Sequence, residues 1–574
     1  PGVLEAQDHP AGYVYIDNGK SGPRPANGDI EGLIQINDCG SIGAQPANAA
    51  QLTIGEGRVR LLAPMALASQ TVTMDAIPTI LDVNGHDASV GGLQGLGTVE
   101  VGDRTLTVGS AGNGFFFRGE FLGNGNVVIV DGGNPLTERE LTVTTGPDRA
   151  AFTLQSGILI YSDLNTSNPN PLTIAGGALE ESSFLRIPLI LTGEARLRGS
   201  FRIEAPATIT GPGTLHVDDG QVTLEVPAKH SGETIVTGSF RRLDVDESSA
   251  LPNTSAIHLN GGQLSFAAGS GHSERINDGA PIYIRGGKLS GGYSGGASGS
   301  EIIGVIHAGP AAMISVSAVA DGDTGAILDL RPAQILRVEH GVLTLETSQM
   351  TDSTAPVRTE IHPTVAPATF GGSAVSGPDT SIIPWMISHG DQLGEDRFSF
   401  TTHHATNGLR TLDLVNDYAQ GLVAVSLPTN NLRFTGTGTL NSDLTVNSLL
   451  LSGHAGLPNL SGIGILTVTS GAVLSNSTLA TVATPLNFGD AEALLIVDEG
   501  DMTVSGSMSG SGGLTKAGTR TLTLSGSNTF TGTMRVIEGQ LRFTQSSALG
   551  ATLGLIELHG TGLSYTGVSD EVLS

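Results

Sequence analysis

The chain has 574 residues, of which 81 are Gly and only 4 % aromatic, and it carries a formal net charge of −27. With 28 basic residues against 55 acidic ones it has little to offer a phosphate backbone or an anionic membrane, which argues against nucleic-acid binding. An apolar content of 39 % is too high for a disordered chain, and the glycines follow no three-residue period, so collagen is excluded as well.

Cys39 is the one cysteine, so no intrachain disulfide can form and stability has to come from packing; Cys39 itself reads as a small buried residue. No stretch is long and apolar enough to cross a membrane as a helix. Pro1 is not a natural start, and the expectation is a piece of a longer secreted protein.

Residues 1–50 read as an N-terminal strand or cap region. Residues 13–16 and 32–36 are strand-like, with turns at Asn18-Gly19 and Asn27-Gly28. From residue 51 the rhythm settles. Residues 51–54, 58–62, 70–74 and 79–83 each alternate apolar with polar or small side chains, which puts one face in and one face out. This opens a first repetitive block, 51–362.

A short signature recurs inside it and beyond: Gly-x-Gly followed by a strand, at Gly95, Gly123, Gly211, Gly436, Gly462 and Gly510. Repeated at that spacing, it marks the corner of a coil, where glycine supplies backbone angles closed to other residues. Two copies extend further. The order from Gly211 (GPGTLHVDDGQVTLEV, then HSGETIV, then ESSALPNTSAIHLNGGQLSF) follows the order from Gly510 (GSGGLTKAGTRTLTLS, then FTGTMRV, then QSSALGATLGLIELHGTGLSY). Such repetition predicts coils of roughly 20–25 residues stacked around one interior.

Residues 363–426 depart from the rhythm. They hold the one Trp, in IIPWMI at 382–387, followed by FSF at 398–400, His403-His404 and NGLRTL at 407–412. They read as a non-repeat elaboration interrupting the coils, after which 427–574 forms a second block. The fold class expected is all-β, a parallel β-helix or β-solenoid with irregular coils and an interruption near 363–426.

The segment GSGGLTKAGTRTLTLSGSNTFTGTMRVIEGQL at 510–541, with Gly510, Gly512, Gly513, Leu514, Lys516, Gly518, Leu522, Leu524, Gly526, Asn528, Phe530, Gly532, Val536, Gly539 and Leu541 in pattern, resembles the autotransporter-associated β-strand repeat. That repeat occurs in autotransporter passengers and in long surface proteins of planctomycetes and verrucomicrobia, and the PW…FxF…NGLRTL order is similar to a segment found between its blocks. The resemblance implies a right-handed solenoid at the bacterial cell surface and no particular chemistry.

A search for chemistry finds little. A β-helix polysaccharide lyase or hydrolase would need carboxylates gathered on one face. The candidates are Asp218-Asp219, Asp244 with Asp246 and Glu247, and Asp321 with Asp323, all beside turn residues where solvated Asp is ordinary. His389, Asp391, His403 and His404 could ligate a metal if folded together, but adjacent histidines point to opposite faces of a strand. Arg241, Arg242 and Arg410 read as partners for surface acids rather than oxyanion clamps, and Trp385 with Phe398 and Phe400 as core closure rather than a sugar platform. No catalytic, cofactor or metal residues are therefore assigned.

The leading expectation is a secreted structural or adhesive solenoid (stalk, fibre or adhesin) that is not an enzyme. Its expected partners are copies of itself, in filaments, or an extracellular glycan or neighbouring cell surface. The alternatives are a β-helix polysaccharide lyase or hydrolase and a passive spacer carrying a functional domain elsewhere.

Overall fold

The computed structural model describes residues 13–15, 33–36, 51–54, 57–61, 67–74, 79–109 without 84, 115–131, 138–141, 150–161, 171–181, 184–246, 251–268, 275–294, 299–319, 327–347, 358–389 without 375, 398–551 without 454–455, 555–559 and 562–566. The described chain is all-β. Strand after strand pairs in parallel with the strand one coil later, and the described helical turns are short 3₁₀ turns at Leu422–Ala424 and Ser546–Leu549. It is a β-solenoid, as the repetition predicts. Two compact units are present, Pro1–Ser255 and Ala256–Ser574.

In the first unit the inner ladder is aliphatic. Ile129 lies beside Leu154, Leu154 beside Ile174 and Ile174 beside Leu191 on successive coils, and all four are fully buried. Between them Thr153, Thr173 and Ile190 occupy a partly exposed outer ladder. The strict inside–outside alternation of AFTL and LTI thus reports a sheet with one covered face. Phe117, Phe121 and Phe152 widen the interior locally, packing edge to face with ring centroids 5.2 and 5.3 Å apart.

The second unit carries, from about residue 431, three parallel stacks around one interior. Asn431–Phe434, Ser448–Ser452, Ala472–Asn476, Ala493–Val497, Leu514–Ala517 and Met534–Val536 form the first. Thr437–Leu440, Asn459–Gly462, Leu479–Val482, Asp501–Val504, Thr521–Leu524 and Gln540–Phe543 form the second, and Leu444–Val446, Leu466–Val468, Leu486–Asn487 and Met508–Ser509 the third. Hydrogen bonds from coil to coil join residues 20 to 24 apart, as Met508 N–H to the Asn528 side chain and Ser477 Oγ to the Gly453 carbonyl do.

The corner reading of the glycines holds. The first glycine of each of the six Gly-x-Gly copies has positive φ: 100° at Gly95, 117° at Gly123, 101° at Gly211, 71° at Gly436, 123° at Gly462 and 151° at Gly510. At Gly462 a side chain is also excluded by the neighbouring coil, because a Cβ would lie 2.1 Å from the Leu440 carbonyl oxygen.

Residues 363–426 do break the parallel pattern. Ile383–His389 pairs in parallel with Leu343–Thr347, and then Phe398–His404 and Gly408–Thr411 add antiparallel strands. This insert covers the outer face of the first stack. Leu450, Ala472, Leu474, Leu494, Ile496, Ala517 and Ile537 pack with Ile382, Ile387, Phe400, Leu412, Leu414 and Tyr418, with Trp385 and Phe398 at the margin. Trp385 therefore serves packing, as expected. Side-chain amides stitch the insert down: Asn476 donates to the Phe398 carbonyl at 2.8 Å and Asn431 to the Thr380 carbonyl at 2.7 Å.

Candidate functional site

The outer ladder of the first unit is a lattice of ion pairs. Parallel register sets Glu180 beside Arg198 and Arg196 beside His216. Arg196 reaches Glu194 at 2.8 Å and Asp218 at 2.9 Å, while His216 meets Glu194 at 2.9 Å and Thr237 at 3.1 Å. The hydrogen bond from His216 holds the Glu194 carboxyl below its usual range, and Arg196 adds to this. Asp219 pairs with Arg241 at 2.9 Å, and Asp244 is bound by Gln221 at 2.6 Å and by Arg242 at 2.5 Å.

Of the carboxylates considered for a lyase or hydrolase, Asp218, Asp219 and Asp244 thus each meet a cation from the same or a neighbouring coil. Asp246 is pushed up, by burial first and then by the nearby charge of Asp244. Glu247, Asp321 and Asp323 lie outside the described residues, as do Cys39 and Asp391. Arg410 binds Asp417 at 2.5 Å; that partner is almost fully buried, not a surface acid.

Of the histidines considered for a metal, the His389 ring lies 4.9 Å from that of Phe398, and His404 Nδ1 accepts the backbone N–H groups of Thr406 and Asn407. Burial lowers the pKa of His403, and its electrostatic interactions with His362 and His404 act in the same direction. A different group gathers ligand atoms: Asp329, Glu360 and His362, whose donor atoms all lie within 4.8 Å of one another. Sequence reasoning passed over it. Its one local signal is Glu360-x-His362, which on a strand puts both side chains on one face. The register that brings Asp329 opposite Glu360 appears only in the folded coil.

A third feature lies inside the repeat-like segment. Lys516 sits in the inner ladder, between Leu495 on one coil and Val536 on the next, and is fully buried. Its stem fills an aliphatic position, and its ammonium donates to the carbonyls of Ala517 and Glu538, both at 2.9 Å, and of Gly518. Burial lowers the Lys516 pKa to about 8 and raises that of Glu538 to about 7. The lysine thus caps a solenoid corner that would otherwise bury bare carbonyls.

These features define a class: a parallel β-solenoid whose outer ladder in the first unit is a lattice of paired charges. Residues 514–543 match the family described as passenger-associated-transport-repeat, spanning Leu514–Ala517, Thr521–Leu524, Met534–Val536 and Gln540–Phe543. The chain is also 34 % identical over 133 residues to the adhesin BmaC autotransporter of Brucella suis biovar 1 (strain 1330). That alignment covers 23 % of this chain and 3 % of the relative's length. No solved structure matches the chain significantly.

Proposed function

We propose that the chain is part of a surface-displayed passenger of autotransporter type, acting as an adhesive or structural solenoid on the outside of a bacterium and not as an enzyme. The observation that carries this reading is the passenger-associated repeat at 514–543, built into the coils of a parallel solenoid. The similarity to an adhesin supports the adhesive side of the reading. The paired state of Asp218, Asp219 and Asp244 weighs against a lyase, which needs carboxylates free to hold a cation. The partner proposed is an extracellular glycan or protein surface.

Protease shaving of intact cells tests the location, and attachment of a deletion strain to abiotic and host-cell surfaces tests the role. The reading expects these peptides to be released by shaving, and attachment to fall when the gene is deleted. Peptides protected in intact cells, or cleavage of acidic polysaccharide by the purified chain, would contradict it.

A further inference from the structure

Asp329 and Glu360 stand directly opposite each other on adjacent parallel strands, Ile327–Pro332 and Arg358–Ile361. Like charges so placed repel, and Arg331 answers part of this at Asp329. His362, two residues beyond Glu360 on the same face, brings its Nδ1 to 2.8 Å from Asp329 Oδ1 and 3.8 Å from Glu360 Oε2. Its other nitrogen, Nε2, lies 3.1 Å from the Thr406 carbonyl. A carbonyl only accepts, so Nε2 carries a proton. In the neutral ring Nδ1 is then a lone pair aimed at two carboxylates.

We propose that Asp329, Glu360 and His362 bind one divalent transition-metal ion. The Nε2–H bond to a backbone carbonyl is the support that ligating imidazoles use to fix their tautomer and orientation. A ligand set of one imidazole and two carboxylates suits zinc or manganese better than calcium, which takes oxygen ligands only. Arg331 binds the other Asp329 oxygen, Oδ2, at 2.6 Å and leaves Oδ1 for the ion.

His404 is turned to the backbone of Thr406 and Asn407. The turn carrying Thr406 is held close over the site: at Gly408, φ is 67° and a Cβ would lie 2.2 Å from the Ile361 carbonyl and 2.8 Å from His362 Cδ2. Asp329 is 6 % exposed, whereas Glu360 and His362 keep an open side through which water can complete the shell. The ion would join two coils and, through His362, the insert's turn.

Calorimetric titration of the chelator-treated full chain with zinc chloride at neutral pH tests this, with far-UV circular dichroism to verify folding. One zinc per chain is expected. Glu360→Gln should weaken it at least about tenfold, beyond the smallest effect of losing an outer partner, and Asp329→Asn should abolish it. His389→Ala, outside the cluster, should leave it unchanged. Absence of zinc binding, or binding indifferent to Glu360→Gln in a folded chain, would overturn the proposal. In that event His362 carries a second proton and the group is an ion-pair network. If Asp329→Asn fails to fold, Glu360→Gln decides alone.

Discussion

The strand Leu172–Ile174 in the first unit and the strand Ala493–Val497 in the second have the same job, pairing one coil to the next, and opposite outer faces. In LTI the middle residue meets solvent, so the sequence alternates. In ALLIV all five residues are buried, because Ala493, Leu495 and Val497 face the interior while Leu494 and Ile496 lie under the insert. A parallel strand buried on both sides reads as a continuous apolar run, and the run shows that something covers it. It does not show what.

Substitution at matching outward positions should separate the two cases most sharply. Ile496→Asp puts a bare carboxylate beneath the insert and is expected to cost about 3–5 kcal/mol in denaturant unfolding. Thr173→Asp, on the open face of the first unit, should cost less than about 0.5 kcal/mol. Equal costs at the two positions would mean that the insert does not cover the sheet.

Two buried groups, Glu301 in the second unit and His230 in the first, should respond to pH with opposite sign. Burial raises the carboxyl of Glu301 to about 7, although it accepts N–H bonds from Arg275 and Ile276, both at 2.9 Å. Between pH 4.5 and 7 the folded state therefore binds the proton more tightly than the unfolded state. Stability from Glu301 is greatest below 4.5 and falls as pH rises to about 7, by about 3 kcal/mol in all. Half-buried Glu538 acts in the same direction.

His230 in the first unit is fully buried, its Nε2 at 3.0 Å from Thr234 Oγ1, and burial lowers its pKa to about 4. Here the unfolded chain takes the proton first. This contribution is present above pH 6.5 and lost as pH falls to about 4, again by about 3 kcal/mol. Amide protection factors, taken relative to the intrinsic exchange rate at each pH, should fall from pH 7 to 5 in Thr234–Thr237 and rise in Gly299–Ile303.

Smaller effects belong to single polar groups in the second unit. Lys516→Met leaves three corner carbonyls without their donor and should cost about 1–3 kcal/mol. Tyr418→Phe removes hydroxyl contacts to Ser399 Oγ at 2.9 Å and Phe400 N–H at 3.3 Å beneath the insert, and should cost about 1 kcal/mol. Thermal unfolding of the two variants would rank them.

How far the sequence could be read follows from the range of each interaction. Coil corners were legible because a glycine such as Gly462 answers a local demand, positive φ against the carbonyl one coil back. Strands such as Gln51–Ile54 and Thr521–Leu524 were legible because alternation is local too. The irregular stretch at 363–426 was visible as a break in rhythm, but its antiparallel cover over Leu494 and Ile496 was not, since that contact joins residues far apart in the chain. The Asp329–Glu360–His362 group stayed hidden for a related reason. Coil lengths vary, so the register that sets Asp329 against Glu360 cannot be counted from the sequence. Lys516 was in view as a repeat residue, yet its place in the apolar interior depends on carbonyls contributed by the next coil as well as its own.

The central claim is the parallel coil-on-coil register, and a disulfide ruler tests it most directly. In a Cys39→Ser background, Thr503→Cys with Thr523→Cys joins register neighbours on adjacent coils. Their spacing of about 4.8 Å lies within disulfide reach. Thr503→Cys with Thr521→Cys, shifted by two residues along the strand, is separated by about 8 Å and lies beyond it. The account predicts rapid cross-linking of the first pair under mild oxidation and none of the second. Preferential cross-linking of the second pair, or equal cross-linking of both, would contradict it.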